Sequence, residues 1–208
     1  MNTLLMDVGN TRIKWGVLRD GQIGDLGDRV HRGRGAVAAA AVVKAMRGRE
    51  FRRIMVSNVA GTSFATHMTR AIWSGYGIEP TFAHVGHQKL GIRCGYRDPK
   101  RLGVDRWLAV LAAHKTAGRG ALVIDAGTTL TIDGVTADGV HLGGLIIPGP
   151  QLMARALRRE TSDIGDVAVT RDARSQTFLG RSTAEAVNMG SGFALAGAVD
   201  QALRFLKR

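Results

Sequence analysis

Residues 7–17 read DVGNTRIKWGV and residues 125–135 read DAGTTLTIDGV. The two stretches start 118 residues apart and agree at five of eleven positions: the leading Asp, the Gly two residues on, a Thr, and a closing Gly-Val pair. In each, an apolar stretch (TLLM, then ALVI) runs through the Asp into a Gly turn and out into a second strand-like stretch (IKWGVL, then LTIDGV). Each therefore predicts a β-turn-β unit with a carboxylate at the end of its first strand. A spacing of this size is a domain-scale repeat, not a solenoid period, and it points to two duplicated halves. Two ordinary hairpins sharing common turn residues would not need Asp and Thr at the same offsets from Gly.

The rest of the chain is compatible with that plan. Its 208 residues are enough for one large domain or two small ones with a real core. Hydrophobic residues at 45% and charged residues at 22% are ordinary for a globular protein. The apolar stretch AVAAAAVV, residues 36–43, falls far short of the ~20 residues a bilayer span needs. MNTLLMD meets an acidic residue before a signal-type apolar stretch can develop, which predicts no targeting segment. The single cysteine, Cys94, cannot form an internal disulfide and suits a reducing cytoplasm.

A net charge of +12 favours anionic partners without choosing between phosphates and nucleic acid. Aromatic residues are only 5% and none are interleaved with Arg or Lys as in single-strand binders, so the charge reads as a solvated Arg-rich surface. Between the two turns the pattern predicts a helix over 36–46, a buried strand over 53–57, a helix over 63–73 and a loop-rich region over 81–102. A helix starting near Leu102 and running to Lys115 follows. After the second turn come a GGLIIPGP turn (143–150), a helix LMARALRR, a polar loop over 160–176 and a last Ala-rich helix from about Thr183.

The two turns carry a specific chemistry. Glycine lets the backbone approach a ligand closely, and successive N–H groups with a Thr hydroxyl form a concave donor set for phosphate oxygens. A carboxylate beside phosphate is repulsive unless a cation stands between them. The pattern therefore implies Mg²⁺ or a similar ion bridging Asp7 or Asp125 to a polyphosphate, with Lys14 adding positive charge. One such turn from each half would clamp the phosphate chain in a cleft. No GxxxxGK[ST] motif occurs in the sequence.

The duplicated turns resemble the phosphate loops of the superfamily that includes actin, Hsp70 and hexokinase-like sugar kinases. DVGNTRIK (7–14), GYRDPKRLGVDR (95–106), DAGTTLTID (125–133) and GGLIIPG (143–149), in this order, resemble the type III pantothenate kinase family. The resemblance implies an α/β fold of two ribonuclease H-like halves with an interdomain cleft, the actin-like ATPase fold. The halves would be 1–115, with the first phosphate loop and the GVDR segment, and 116–208, with the second loop and a shortened end.

The activity so implied is transfer of the ATP γ-phosphoryl group to the 4′ hydroxyl of pantothenate, the first step of coenzyme A synthesis. By resemblance Asp105 is the catalytic base, Arg106 pairs with the pantothenate carboxylate, and Tyr96, Gly103, Val104 and Thr183 complete the substrate pocket. The same resemblance implies that Asp7, Val8, Gly9, Asn10, Thr11, Arg12, Ile13, Lys14 and Thr128 contact ATP and that Asp125 binds a monovalent cation, K⁺ or NH₄⁺. The family builds its site across a homodimer, with Thr183 reaching pantothenate from the neighbouring subunit. Taken alone, Asp105 could be a helix cap, Arg106 a surface residue, Tyr96 loop packing and Thr183 an N-cap.

The family also has a Thr-Gly-Gly turn against adenosine, and no TGG occurs here. That difference predicts weak ATP binding with little selectivity for the base. Two other readings follow from the same residues: a non-catalytic regulatory or accessory protein of this fold, favoured by the charge, and a sugar or acetate kinase. Asp7, Asp105, Arg106 and Asp125 together favour pantothenate phosphorylation, because a regulator needs no base and an Arg beside the base suits an anionic acceptor.

Overall fold

Leu4, Met6 and Val8 alternate with Thr3, Leu5 and Asp7, the period-2 pattern of a strand with one face in the core. In the computed structural model, which describes residues 2–31, 33–169 and 179–206, they form β1 (Thr3–Val8), the first set buried and the second half-buried. The chain divides into two compact units, Met1–Gly86 with Asp98–Leu108 and His87–Arg97 with Ala109–Arg208.

In the first unit β1 is followed by β2 (Arg12–Arg19), β3 (Gln22–Val30), α1 (Gly35–Ala45), β4 (Arg53–Asn58), α2 (Thr62–Tyr76) and β5 (Thr81–Phe82). The sheet order is β3-β2-β1-β4-β5, with β2 antiparallel to both neighbours and β4 parallel to β1 and β5. Three antiparallel strands followed by parallel additions make this a ribonuclease H-like half, as the family resemblance implies. Val8, Ile13, Ile54 and Val56 from the sheet pack with Val42 of α1 and Phe64, Met68 and Ile72 of α2. Each such side chain contributes about 1.5–3 kcal/mol on burial. The helix α2 stops at Gly77, whose left-handed φ of 64° a side chain would resist.

In the second unit β6 (Gln88–Lys89) and β7 (Ile92–Arg93) form a small hairpin. A 3₁₀ turn at Pro99–Arg101 precedes α3 (Val104–Ala117), which starts in the first unit and ends in the second. Then come β8 (Ala121–Ala126), β9 (Thr129–Val135), β10 (His141–Pro148), α4 (Pro150–Glu160) and α5 (Thr183–Leu206). The strands β8, β9 and β10 form an antiparallel meander, so β8-β9-β10-α4 repeats the order and pairing of β1-β2-β3-α1. The duplication is thus one of topology as well as of letters.

One expectation is corrected. GGLIIPGP is not a turn as a whole: residues 143–148 lie in β10, paired residue for residue with β9, and the chain turns only at Gly149 before α4. The strand β3 answers to no element that the sequence pattern predicts. Of the polar loop, 161–169 lack regular structure and 170–176 lie outside the described residues. Among the described residues no helix is long and apolar enough to cross a membrane.

Candidate active site

The first turn joins β1 to β2. Gly9 N–H donates to the Arg12 carbonyl at 3.0 Å, and the strands are paired Val8 to Ile13 and Asp7 to Lys14. Asp7 is also level with Ser57 on β4, and Lys14 with Asp28 on β3. Residues directly opposite one another in a sheet share a face, so Asp28, Lys14, Asp7 and Ser57 form one polar row across four strands. The alternation of carboxylate, ammonium and carboxylate puts positive charge beside Asp7. Arg12 is tied to Asp28 in an ion pair, both half-exposed. Val8 and Ile13 are fully buried, so of the expected ATP contacts these two can offer only backbone.

The same turn is held from behind by His31, which is 4% exposed and packs against Phe64 with ring centres 4.6 Å apart. Gly33 N–H donates to Nδ1 at 3.1 Å, so Nε2 is the donor to the Gly9 carbonyl at 2.7 Å. The His31 N–H also donates to the Thr11 carbonyl at 2.9 Å. No spacing rule picks out this histidine from the sequence; it becomes visible only when β3 returns the chain to the turn.

The second turn joins β8 to β9 and is one residue shorter. Gly127 N–H donates to the Thr129 carbonyl at 2.9 Å, with pairs Ala126 to Leu130 and Asp125 to Thr131. Asp125 therefore faces a hydroxyl residue where Asp7 faces an ammonium. Asp125 and Thr128 are both exposed. Gly149 at the start of α4 donates its N–H to the Thr128 carbonyl at 3.0 Å, and a Cβ there would lie 2.6 Å from that oxygen and 2.9 Å from the Gly127 carbonyl. Among the described residues no group of three or more His, Cys, Asp or Glu is placed to hold a metal ion by itself. The donor set at the turn, a single carboxylate with hydroxyl and carbonyl oxygens, fits a hard cation whose shell is completed by phosphate oxygens.

The GVDR segment starts α3. The Gly103 carbonyl accepts the first helical bond, from Trp107 N–H at 3.0 Å, and Asp105 Oδ1 accepts from Arg106 N–H at 2.7 Å. Asp105 thus does cap one of the unpaired donors of the first turn. Arg106 is only 8% exposed, which is not the environment of a solvated surface arginine. Gly103 and Asp105 are half-buried and Val104 is buried beside them.

Tyr96, in the second unit, stacks on His141 with ring centres 5.9 Å apart and planes 11° from parallel. Thr183 is the first residue of α5. The N-cap is its neighbour Ser182, whose Oγ accepts from Glu185 N–H at 3.2 Å and whose carbonyl accepts from Ala186 N–H at 2.8 Å. Capping therefore does not explain Thr183, which is exposed on the wall of an apolar cavity of about 1220 Å³ with Leu152, Met153, Leu157 and Val187.

The chain is similar to known proteins over nearly its whole length. Residues 3–204 match the family model described as type III pantothenate kinase. A protein named type III pantothenate kinase from Aromatoleum aromaticum is 37% identical over 204 residues, covering 97% of this chain and 79% of its own. One of the same name from Pseudomonas aeruginosa is 39% identical over 197 residues, covering 94% and 78%. A crystal structure of a Campylobacter jejuni protein assigned to the Baf family of transcriptional activators has a TM-score of 0.56 at 19% identity, covering 95% of this chain and 78% of that one. At that identity the likeness is one of fold. With both phosphate-type turns, the GVDR helix start and this extent of identity in agreement, the chain belongs to the type III pantothenate kinase family.

Proposed function

We propose that this protein transfers the γ-phosphoryl group of ATP to the 4′ hydroxyl of pantothenate, giving 4′-phosphopantothenate and ADP, the first step of coenzyme A synthesis. The observation that carries the reading is the pair at the start of α3: a half-buried acidic residue, Asp105, followed directly by an arginine, Arg106, that is 8% exposed. A regulatory protein has no use for a buried cation beside a base; an anionic alcohol substrate needs both.

In the reaction, the pantothenate hydroxyl oxygen bonds to the γ-phosphorus as the bond from that phosphorus to the β–γ bridging oxygen breaks, and ADP leaves with the electron pair. The hydroxyl proton passes to Asp105. Because Oδ1 is engaged by the Arg106 N–H, Oδ2 is the atom that takes it. Arg106 pairs with the pantothenate carboxylate and fixes which end of the substrate faces the base. Tyr96, Gly103 and Val104 line the substrate, and Thr183 of a second subunit closes over it in a homodimer.

The N–H groups of residues 9–12, with Asn10, Thr11 and Lys14, bind phosphate oxygens, and Thr128 binds them from the second turn. Asp7 is the carboxylate suited to Mg²⁺ carried by ATP, and Asp125 to K⁺ or NH₄⁺, since its neighbour across the strands is Thr131 and not a lysine. These cations supply neutralisation of charge on the phosphate oxygens.

Calorimetry and steady-state kinetics separate these roles. Asp105→Asn should bind pantothenate within about threefold of the parent while kcat falls by about 10²–10⁴, the usual value of a general base. Arg106→Met should raise KM for pantothenate by about 10²-fold or more, as expected when one partner of a buried charged pair is removed. An Asp105→Asn variant with parental kcat would contradict the assignment.

A further inference from the structure

We propose that His141 and Asp133 are positioning residues that hold the Tyr96 ring in its substrate-binding pose; the inference rests on the reading that Tyr96 touches pantothenate. Tyr96 lies in a stretch with no regular structure, between β7 and the 3₁₀ turn at Pro99–Arg101. A loop of this kind does not by itself fix an aromatic ring. Three ties bind it to the β9–β10 hairpin. Arg93 forms a parallel bridge with Val140, its N–H donating to the Gly139 carbonyl at 2.8 Å. Gly95 N–H donates to His141 Nδ1 at 3.4 Å, and Tyr96 stacks flat on the same imidazole. Gly95 comes so close to β10 that a Cβ would fall 1.8 Å from the His141 carbonyl oxygen, so the approach requires glycine.

The imidazole is itself held in place. Its Nε2 donates to Asp133 Oδ1 on β9 at 2.9 Å, with the side chains 0% and 2% exposed. The ladder shifts register between His141 and Gly143, the kind of irregularity that re-aims a side chain. Burying a carboxylate against a histidine gives little net stability over an apolar pair of the same size. What the polar pair adds is direction: with Nδ1 accepting from the Tyr96 loop and Nε2 donating to Asp133, the ring can sit one way only. Asp133 belongs to the second copy of the repeated stretch, where neither the phosphate turn nor the base uses it.

The test is a double-mutant cycle in pantothenate kinetics with His141→Gln and Tyr96→Ala. The glutamine amide keeps a donor for Asp133 while removing the stacking surface. His141→Gln alone should raise KM for pantothenate by about 10-fold and leave KM for ATP within about twofold, whereas in the Tyr96→Ala background it should add less than about twofold. Asp133→Asn, whose amide oxygen still accepts from Nε2, should stay near the parent, and Asp133→Leu should resemble His141→Gln. If the glutamine variant does not fold, as judged by its thermal melt, His141→Asn carries the same cycle. Effects that multiply independently, or that raise both KM values alike, would overturn the positioning role alone. A Tyr96→Ala variant with parental KM for pantothenate would overturn the substrate role of Tyr96 and the pair's role with it.

Discussion

The first turn, residues 9–12, and the second, residues 127–129, belong to stretches that share Asp, Gly and Thr at the same offsets, yet they form different hairpins. Four residues separate the pair Val8–Ile13, and three separate Ala126–Leu130. Because side chains alternate faces along a strand, one residue changes which neighbour each carboxylate meets. Asp7 faces Lys14; Asp125 faces Thr131. The supports differ in kind as well: a buried histidine side chain grips the first turn, while the second is pressed against bare backbone at Gly149. The lesson is that the repeat keeps a carboxylate-and-glycine turn but not its electrostatics: a lysine stands opposite the first carboxylate and a threonine opposite the second.

This comparison can be broken at specific positions. The largest effect is expected from Gly149→Ala. Its methyl group would meet two carbonyl oxygens of the second turn at 2.6 and 2.9 Å, and backbone cannot swing aside as a side chain can. A displacement on the ångström scale costs about 10²-fold in a positioned reaction, so kcat/KM should fall by that order in a variant whose secondary structure by circular dichroism is intact. Thr131→Lys would turn the second copy into the first. An ammonium beside Asp125 should reduce activity about 10-fold and weaken its dependence on K⁺, since at roughly 4 Å an opposite charge near a protein surface is worth several kcal/mol at most. Titration of K⁺ in both proteins reads this directly.

Smaller losses fall on the first copy. His31→Leu strands the Gly9 carbonyl acceptor, at a cost of about 1–3 kcal/mol. It should raise KM for ATP about 3- to 10-fold with KM for pantothenate unchanged, measured by varying each substrate at saturation of the other. The smallest effect belongs to Asp28→Ala, because its ion pair with Arg12 is half-exposed at both ends. Thermal unfolding should register a loss of only about 0.2–1 kcal/mol.

Much of the architecture could be read from the letters because it is written in burial patterns. The alternation in β1, the apolar stretch of β4 and the helices α1, α2, α4 and α5 all appear close to where their sequence patterns place them. β3 escaped because QIGDLGDRV has no alternation to detect: eight of its nine residues are exposed, and it lies at the edge of its sheet, paired with β2. β10 escaped because its glycine pair mimics a turn, whereas β9 supplies a partner for each of those residues. The closing Gly-Val identities of the two copies also misled. Aligned by letters they coincide, but the shorter second turn puts Gly134 and Val135 one step out of phase with Gly16 and Val17.

Within the site, residues with a motif were legible and residues with only a location were not. GVDR announces a helix start with a carboxylate and a cation together. His31, Gly149 and the buried Asp133–His141 pair act through contacts between segments far apart in sequence, so no local spacing marks them. Thr183 is an intermediate case. Its position at a helix start was readable, yet the cap turned out to be Ser182, which leaves the Thr183 hydroxyl for another use.

The most direct test is the mass of the product. Purified protein incubated with pantothenate, Mg²⁺-ATP and K⁺ should convert pantothenate to a species heavier by one phosphoryl group, with one ADP formed for each, and Asp105→Asn should form almost none. ATP hydrolysis without a phosphorylated pantothenate, or equal product from the parent and Asp105→Asn, would contradict the account.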